Sequence, residues 1–255
     1  MDINEKMNKI ALELSEEYDI VYMGLYGSQN YNLDTEESDI DVKCFVMPNF
    51  SNIYERTMIS KEVKTSYGIA DVKDIRLLPE LIGKCGLTYL EAFVTDYYIV
   101  GKNKAATTLT EELRRLVNIF INDHLHKLAM VIKQMAKNKI KIITQHPARK
   151  KEIAHLGRLE LVLQKLDAGL NFKEALFLTD NERENILAIK NVLMSKSALD
   201  LYLLLSKTKI SDYYKSLAAT IAPTNRLNVI EYLNKEVYKS VAENLYIDLK
   251  DTFEN

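Results

Sequence analysis

The sequence predicts an α+β fold in which the strands come first and the helices follow. Runs rich in β-branched and aromatic residues end near residue 101, and the longer segments beyond it have helical periodicity. Glycine and proline are scarce, with 8 and 4 of 255 residues, which favours long helices and excludes collagen-like and linker-rich chains. This change of character predicts two domains, 1–104 and 105–255.

The first elements are predicted to be a helix and two strands. Residues 3–17 place apolar side chains at helical spacing, so they predict an amphipathic helix. The apolar run at 20–26 predicts a buried strand, and the alternation of polar and apolar residues at 39–46 predicts a second strand. A polar stretch at 29–38 separates the two strands.

Shorter elements are predicted for the rest of the first part. Residues 49–60 have no regular pattern, whereas 62–77 resemble one or two further strands. Residues 80–94 predict a helix that breaks near Gly86, and 97–100 form a short extended run.

The second part of the chain is predicted to be helical throughout. Its segments of helical periodicity are 107–137, 147–168, 181–205 and 223–249. We therefore expect a helical domain at 105–255.

Composition excludes several classes of function. The net charge of −2 does not favour a general nucleic-acid coat or a membrane-surface protein. No apolar run approaches the ~18 residues of a membrane span, and the acidic, amphipathic N-terminal segment is unlike a signal peptide. Cys44 and Cys85 have no CxxC spacing, so we expect structural thiols and a cytoplasmic location.

Charge is distributed unevenly along the chain. Residues 1–104 carry 11 lysines and arginines against 18 aspartates and glutamates, and the remainder carries 23 against 18. From His124 to Lys151 there are eight lysines and arginines and no acid. This asymmetry suits a site at which metal-binding carboxylates face a basic wall, but a solvated helix face is the simpler interpretation of each lysine.

Two aspartates at the second predicted strand are candidate metal ligands. Asp39 and Asp41 alternate along the strand, so both are expected on one face of it. Two such carboxylates repel each other unless a cation lies between them. Oxygen ligands favour Mg²⁺, which binds one or two carboxylates together with substrate phosphates, and a pair of ions could activate an attacking oxygen and stabilise a leaving pyrophosphate.

A glycine-serine pair at the end of the first strand is the candidate phosphate site. Gly27 and Ser28 follow the strand directly, and Asp39 comes eleven residues after Ser28. Glycine allows a tight bend, and the backbone N–H groups and the serine hydroxyl can donate to phosphate oxygens. The alternative interpretation is an ordinary turn followed by a solvated acidic strand end.

These motifs resemble the signature of the nucleotidyltransferase superfamily with a catalytic fold like that of DNA polymerase β. The resemblance implies a small mixed-sheet catalytic domain at 1–104, a Gly27-Ser28 loop that holds nucleotide phosphates, and two metal ions bound by an Asp-x-Asp pair and a third carboxylate. The third carboxylate is expected to be Asp71, which lies in an apolar extended run, with Asp74 as its competitor. Asp74 is better explained as a strand end or a cap.

A second resemblance narrows the branch of that superfamily. The segment Lys151–Leu159 resembles the Lys-x-x-x-His-x-x-Arg motif of bacterial and phage nucleotidyltransferases of RNA-repair pathways, and 90–95 and 182–190 are also similar to that branch. The resemblance implies a nucleoside triphosphate substrate, with ATP as the first candidate, and an RNA end as the acceptor.

The spacing of the second motif supports a phosphate clamp independently. Lys151, His155 and Arg158 lie at i, i+4 and i+7, which is one face of a helix. Three donors on one face can bind a triphosphate, and a guanidinium can bind it with two hydrogen bonds. Alternatively, His155 packs against neighbouring residues and Lys151 is solvated.

Together these patterns predict a Mg²⁺-dependent nucleotidyltransferase. Metal ions at Asp39, Asp41 and Asp71 and a nucleotide at Gly27, Ser28, Lys151, His155 and Arg158 are what the resemblance implies. An acceptor hydroxyl would attack the α-phosphate, and pyrophosphate would leave. The alternatives are transfer to a protein or a small molecule, as in toxin-directed and antibiotic-directed relatives, and a catalytically silent nucleotide-binding module.

Overall fold

The computed structural model describes residues 2–35, 38–102, 104–191, 194–219 and 228–254, and it has an α+β fold. Its strands are β1 (Ile20–Tyr26), β2 (Asp41–Val46), β3 (Ser60–Lys64), β4 (Ile69–Asp74) and β5 (Tyr98–Val100). Its helices are α1 (Ile3–Ser15), α2 (Phe50–Tyr54), α3 (Leu78–Gly83), α4 (Leu87–Val94), α5 (Lys104–Asp123), α6 (Leu125–Gln145), α7 (Lys150–Asp167), α8 (Phe172–Leu176), α9 (Asp180–Asn191), α10 (Lys196–Ala219) and α11 (Val229–Glu254).

The strands form one mixed sheet in the order β3-β4-β2-β1-β5. Strand β2 pairs parallel with β4, and the other neighbouring pairs are antiparallel. The central strands are rich in β-branched and apolar residues, which suits burial on both faces of the sheet.

Helix α1 covers one face of this sheet. Its buried side chains Met7, Ile10 and Leu14 belong to a core cluster with apolar residues of β1, β2 and β4. Asp2 caps the helix, because its side chain accepts a hydrogen bond from the Glu5 N–H while Glu5 accepts one from the Asp2 N–H. The predicted first helix is confirmed, with its end at Ser15.

Helix α4 covers part of the opposite face through aromatic contacts. Tyr22 of β1 stacks on Phe93 with ring centroids 4.5 Å apart, and Phe45 of β2 lies 5.6 Å from the same ring. The helix approaches β1 so closely that a Cβ atom on Gly24 would lie 2.1 Å from the Ala92 carbonyl oxygen. The same face of the sheet carries the polar residues described below.

The residues pack into two compact units. The first contains the sheet, α1 to α4, α5 as far as Phe120, and α11. The second contains Tyr31–Leu33 and the helices from α6 to α10. In this grouping the chain leaves the first unit after Phe120 and not at residue 105. Most of α5 and all of α11 belong to the first unit, because Thr110 on α5 hydrogen-bonds the Val21 carbonyl and α11 packs against α3.

Helices α6, α7 and α10 contact one another in the second unit. An ion pair between Lys139 and Glu152 joins α6 to α7 at 2.6 Å. Tyr31 and Leu33 pack with Ala154 and Ile186 in a small apolar cluster of this unit.

Several predicted boundaries are wrong. A single helix over 107–137 is excluded, because α5 ends at Asp123 and a new helix begins at Leu125. The segment 181–205 is also divided, since Ser195 caps a new helix by accepting the Ala198 N–H. The sequence patterns predict neither α8 nor α2. Helix α2 lies within residues 49–60, for which no regular pattern was found.

Other expectations are confirmed. The break near Gly86 separates α3 from α4, and residues 62–77 contain parts of two strands, β3 and β4. Of the predicted segment 223–249, residues 223–227 lie outside the described ranges, and α11 begins at Val229 and covers the segment from there on. Across the described part of the chain, every helix is too short or too polar to cross a bilayer.

The close approach of α4 to β1 gives a test of the fold. We expect Gly24→Ala to lower the free energy of unfolding by about 3 kcal/mol, because the new methyl group would collide with a backbone carbonyl that cannot move alone. Gly83→Ala is the matched control. A Cβ at Gly83 would lie 3.5 Å from the flexible Ile230 side chain, so we expect a change below about 1 kcal/mol. Urea denaturation measures both, and equal effects would contradict this packing.

Candidate functional site

A tight bend follows β1 at Gly27. This residue has a φ of +87°, which glycine adopts without strain. The Gly27 carbonyl accepts a hydrogen bond from the Asn30 N–H at 2.9 Å, which closes the turn into a short 3₁₀ segment, Ser28–Tyr31. The chain thus makes a tight turn at the predicted glycine-serine pair.

Side-chain hydrogen bonds hold this bend in place. Gln29 donates to the Ser38 carbonyl at 3.2 Å, which ties the bend to the segment that leads into β2. Thr95, at the end of α4, donates to the Asn30 side chain at 2.6 Å and is buried. Its carbonyl in turn accepts from Arg114 of α5 at 3.0 Å. The bend is therefore fixed from both sides.

The bend lies beside Asp41. In the antiparallel β1–β2 ladder, Asp41 is opposite Tyr26, the residue before Gly27. The Asp41 Oδ2 atom lies 3.4 Å from the position that a Cβ on Gly27 would occupy. The sheet therefore brings one predicted metal ligand to the predicted phosphate loop.

Asp39 lies outside the strand, which is a correction to the predicted span. Strand β2 begins at Asp41, so alternation along a strand does not fix the direction of the Asp39 side chain. Asp39 is exposed and borders a cavity of about 650 Å³ together with Glu62 and Lys64. It remains two residues from Asp41, at the same end of the sheet.

Asp71 is brought to the same face of the sheet as Asp41. Asp71 is the register partner of Lys43 in the parallel β2–β4 pair, and Lys43 alternates with Asp41 along β2. Both oxygens of Asp71 form ion pairs with lysines, and one of them also accepts a hydrogen bond. Lys43 is 2.8 Å from Oδ2, Lys73 is 2.9 Å from Oδ1, and the Tyr89 hydroxyl donates to Oδ2 at 2.9 Å.

Lys43 is enclosed by aromatic rings. Its ammonium nitrogen lies 4.3 Å from the centroid of Tyr26 and 4.5 Å from that of Tyr89. Burial raises the pKa of Asp71, but the hydrogen bonds from Lys43 and Lys73 outweigh burial and hold this pKa below its usual value. Asp71 is therefore ionised at neutral pH, and its charge is compensated within the protein.

Asp74 has a different role from Asp71. It is fully buried at the end of β4, and its side chain accepts the Arg76 N–H at 2.9 Å as a helix cap. The Arg76 guanidinium also binds both Asp74 oxygens, at 2.9 and 2.6 Å. The interpretation of Asp74 as a strand end and cap is confirmed.

The fit to metal ions differs among the three predicted ligands. Within the described residues, no group of three His, Cys, Asp or Glu side chains is arranged to hold an ion. The Asp71 oxygens point to lysines, so this carboxylate does not fit a metal as it stands. Asp41 supplies an oxygen donor of the kind that Mg²⁺ prefers, beside a glycine whose missing side chain leaves space, and Asp39 is a second carboxylate at the same end of the sheet.

The second predicted motif lies on α7, in the helical unit. Lys151 is exposed, His155 is partly buried, and Arg158 is buried with its guanidinium 3.9 Å from the centroid of the Tyr31 ring. Burial, followed by the charges of Arg158 and Lys139, lowers the pKa of His155 to about 4. His155 is therefore neutral at pH 7. The phosphate clamp stays a prediction.

Sequence reasoning missed Lys43, Lys73, Tyr89 and Thr95, which contact Asp71 or the bend. Lys43 carried a signal, because its alternation with Asp41 on a strand places both on one face. Tyr89 and Thr95 carried none, since only the packing of α4 against the sheet brings them to Asp71 and Asn30.

The lowered pKa of His155 predicts a dependence of stability on pH. Between pH 6.5 and 4 the unfolded chain binds a proton at this residue and the folded chain does not, so stability falls as the pH falls. We expect His155→Gln to remove a slope of up to about 1.4 kcal/mol per pH unit in that window. Urea denaturation at several pH values measures it.

His146→Gln is the matched control, because His146 is exposed. We expect its pH profile to follow that of the unsubstituted protein. If His155→Gln leaves the profile equally unchanged, His155 is not held neutral by its surroundings.

No model of a known protein family matches the chain, and no curated protein sequence matches it.

Proposed function

We propose that this protein is a Mg²⁺-dependent nucleotidyltransferase, which transfers a nucleoside monophosphate from a nucleoside triphosphate to an acceptor hydroxyl. One observation carries the proposal. The pairing of Tyr26 with Asp41 puts the Gly27 bend, which can bind phosphate, beside a carboxylate that can bind a cation.

The bend supplies hydrogen-bond donors for the triphosphate. Its backbone N–H groups and the Ser28 hydroxyl can donate to phosphate oxygens, and the tight turn at Gly27 lets these oxygens approach the backbone. The contacts of Gln29 and Asn30 keep the donors oriented before the nucleotide binds. A site organised in advance lowers the cost of binding.

Asp39 and Asp41 are the proposed ligands of the metal. When bound there, Mg²⁺ would neutralise phosphate charge and stabilise the leaving pyrophosphate. The acceptor oxygen forms a bond to the α-phosphorus, and the bond from that phosphorus to the pyrophosphate oxygen breaks. The acceptor proton passes to bulk water, because the lysine contacts of Asp71 lower its pKa and make it a weak base.

We further propose an RNA end as the acceptor. Exposed cationic side chains continue from the second half of α6 into the start of α7, and Lys137, Lys141 and Arg149 are among them. Such a row can attract a phosphate backbone without reading its sequence. The acceptor hydroxyl would then be presented by the RNA terminus.

An acceptor assay tests this function. The purified protein is incubated with Mg²⁺ and each of four α-³²P-labelled nucleoside triphosphates, with RNA, with no added acceptor, or with an aminoglycoside. We expect label on RNA and release of pyrophosphate. Label on the protein or on the aminoglycoside would show that this molecule, and not RNA, is the acceptor. Bound nucleotide without transfer to any acceptor would contradict catalysis.

The role of Asp41 gives a sharper prediction. We expect Asp41→Asn to reduce transfer at least 100-fold, roughly the effect of losing a metal ligand worth several kcal/mol in the transition state. Glu16→Gln is the control, because Glu16 is exposed at the end of α1, which covers the other face of the sheet. Normal activity of Asp41→Asn would place the site elsewhere.

A further inference from the structure

Two protein cations already neutralise Asp71. Its Oδ2 pairs with Lys43 and its Oδ1 with Lys73, while the Tyr89 hydroxyl adds a second hydrogen bond to Oδ2. The side chains of Asp71 and Lys43 are 10% and 8% exposed. Each carboxylate oxygen therefore has a charged partner in a largely dry environment.

Backbone spacing alone does not keep Asp71 from sharing an ion with Asp41. Neighbouring strands are about 4.8 Å apart, and two residues along a strand span about 6.6 Å, so their α-carbons are roughly 8 Å apart. Two aspartates at that separation can both reach one cation. The direction of the Asp71 side chain is instead set by its lysine partners.

The ammonium group of Lys43 is held in a fixed position beside Asp71. The rings of Tyr26 and Tyr89 both contact its ammonium group, and Lys43 is flanked along β2 by the buried Val42 and Cys44. Lys73 is fixed as well, because it donates to Ser60 on β3 at 2.8 Å. A divalent ion at Asp71 would face two ammonium groups of the same sign, and this repulsion opposes binding.

We propose that Asp71 is not a metal ligand in this protein, and that the ammonium group of Lys43 takes the place of a second cation, so that the site binds one divalent ion through Asp39 and Asp41. This inference rests on the proposed function. It makes Lys43 and Asp71 positioning residues, which set the charge of the sheet face next to Asp41 and do not contact the metal.

Counting bound Mn²⁺ tests the inference without an activity assay. The full chain is titrated with Mn²⁺ alone, and free Mn²⁺ is measured by electron paramagnetic resonance. We expect one ion per chain in the unsubstituted protein, one in Asp71→Asn, and none in Asp41→Asn. Two ions in the unsubstituted protein that fall to one in Asp71→Asn would overturn the inference and leave the proposed function standing.

Failure of the proposed function has a different signature. If the unsubstituted protein binds no Mn²⁺, or if Asp41→Asn binds it unchanged, the metal site at the Gly27 bend is wrong, and the inference falls with it. The two failures are thus distinguished in one set of titrations.

The variant Lys43→Met is expected to bind more Mn²⁺ than the unsubstituted protein. Removing Lys43 frees the Asp71 Oδ2 atom from its ion pair, so we expect a second Mn²⁺ to bind. Loss of a buried ion-pair partner can also unfold the chain, so circular dichroism is recorded for each variant. A folded Lys43→Met protein that still binds one ion would contradict the proposal that the Lys43 ammonium group takes the place of a second cation.

Diffraction on the unsubstituted protein avoids every folding problem. Crystals soaked in Mn²⁺ are expected to show one anomalous peak, at Asp39 and Asp41, with the Asp71 oxygens still on the two lysines. A peak within about 2.2 Å of an Asp71 oxygen would overturn the inference.

Discussion

The antiparallel pairing of β1 with β2 is the constraint on which the candidate site depends. It sets Tyr26 opposite Asp41, so the bend at Gly27 emerges beside a carboxylate. A shift of register by one residue would turn Asp41 to the face that α1 covers. The apolar side chains that pack under α1 therefore hold the site together, although none of them belongs to it.

Charge on the face of the sheet that α4 contacts is balanced inside the protein. Asp71, Lys43 and Lys73 form a closed ion network among tyrosine rings, whereas Asp39 remains exposed at the end of the sheet. A buried ion network seldom stabilises a core more than apolar side chains of similar volume, because removing charges from water is unfavourable. Here it marks Asp71 as a structural carboxylate, because both of its oxygens are paired with lysines.

The sequence predicted where the strands of the first part lie along the chain and which residues form the bend, because both depend on local patterns. The positions of Gly27 and Asp41 followed from an apolar strand, a turn signal and a short second strand. The partners of Asp71 could not be predicted in the same way. Tyr89 arrives from α4, and the register of β2 with β4 selects Lys43, so both contacts depend on tertiary packing. The break at His124 was missed because helical periodicity continues through it.

A crystal structure with Mn²⁺ and a non-hydrolysable ATP analogue tests the central claim most directly. The account predicts triphosphate oxygens on the backbone of the Gly27-Ser28 bend and the metal on Asp41. A triphosphate bound elsewhere on the chain, with Asp41 free of metal, would contradict it.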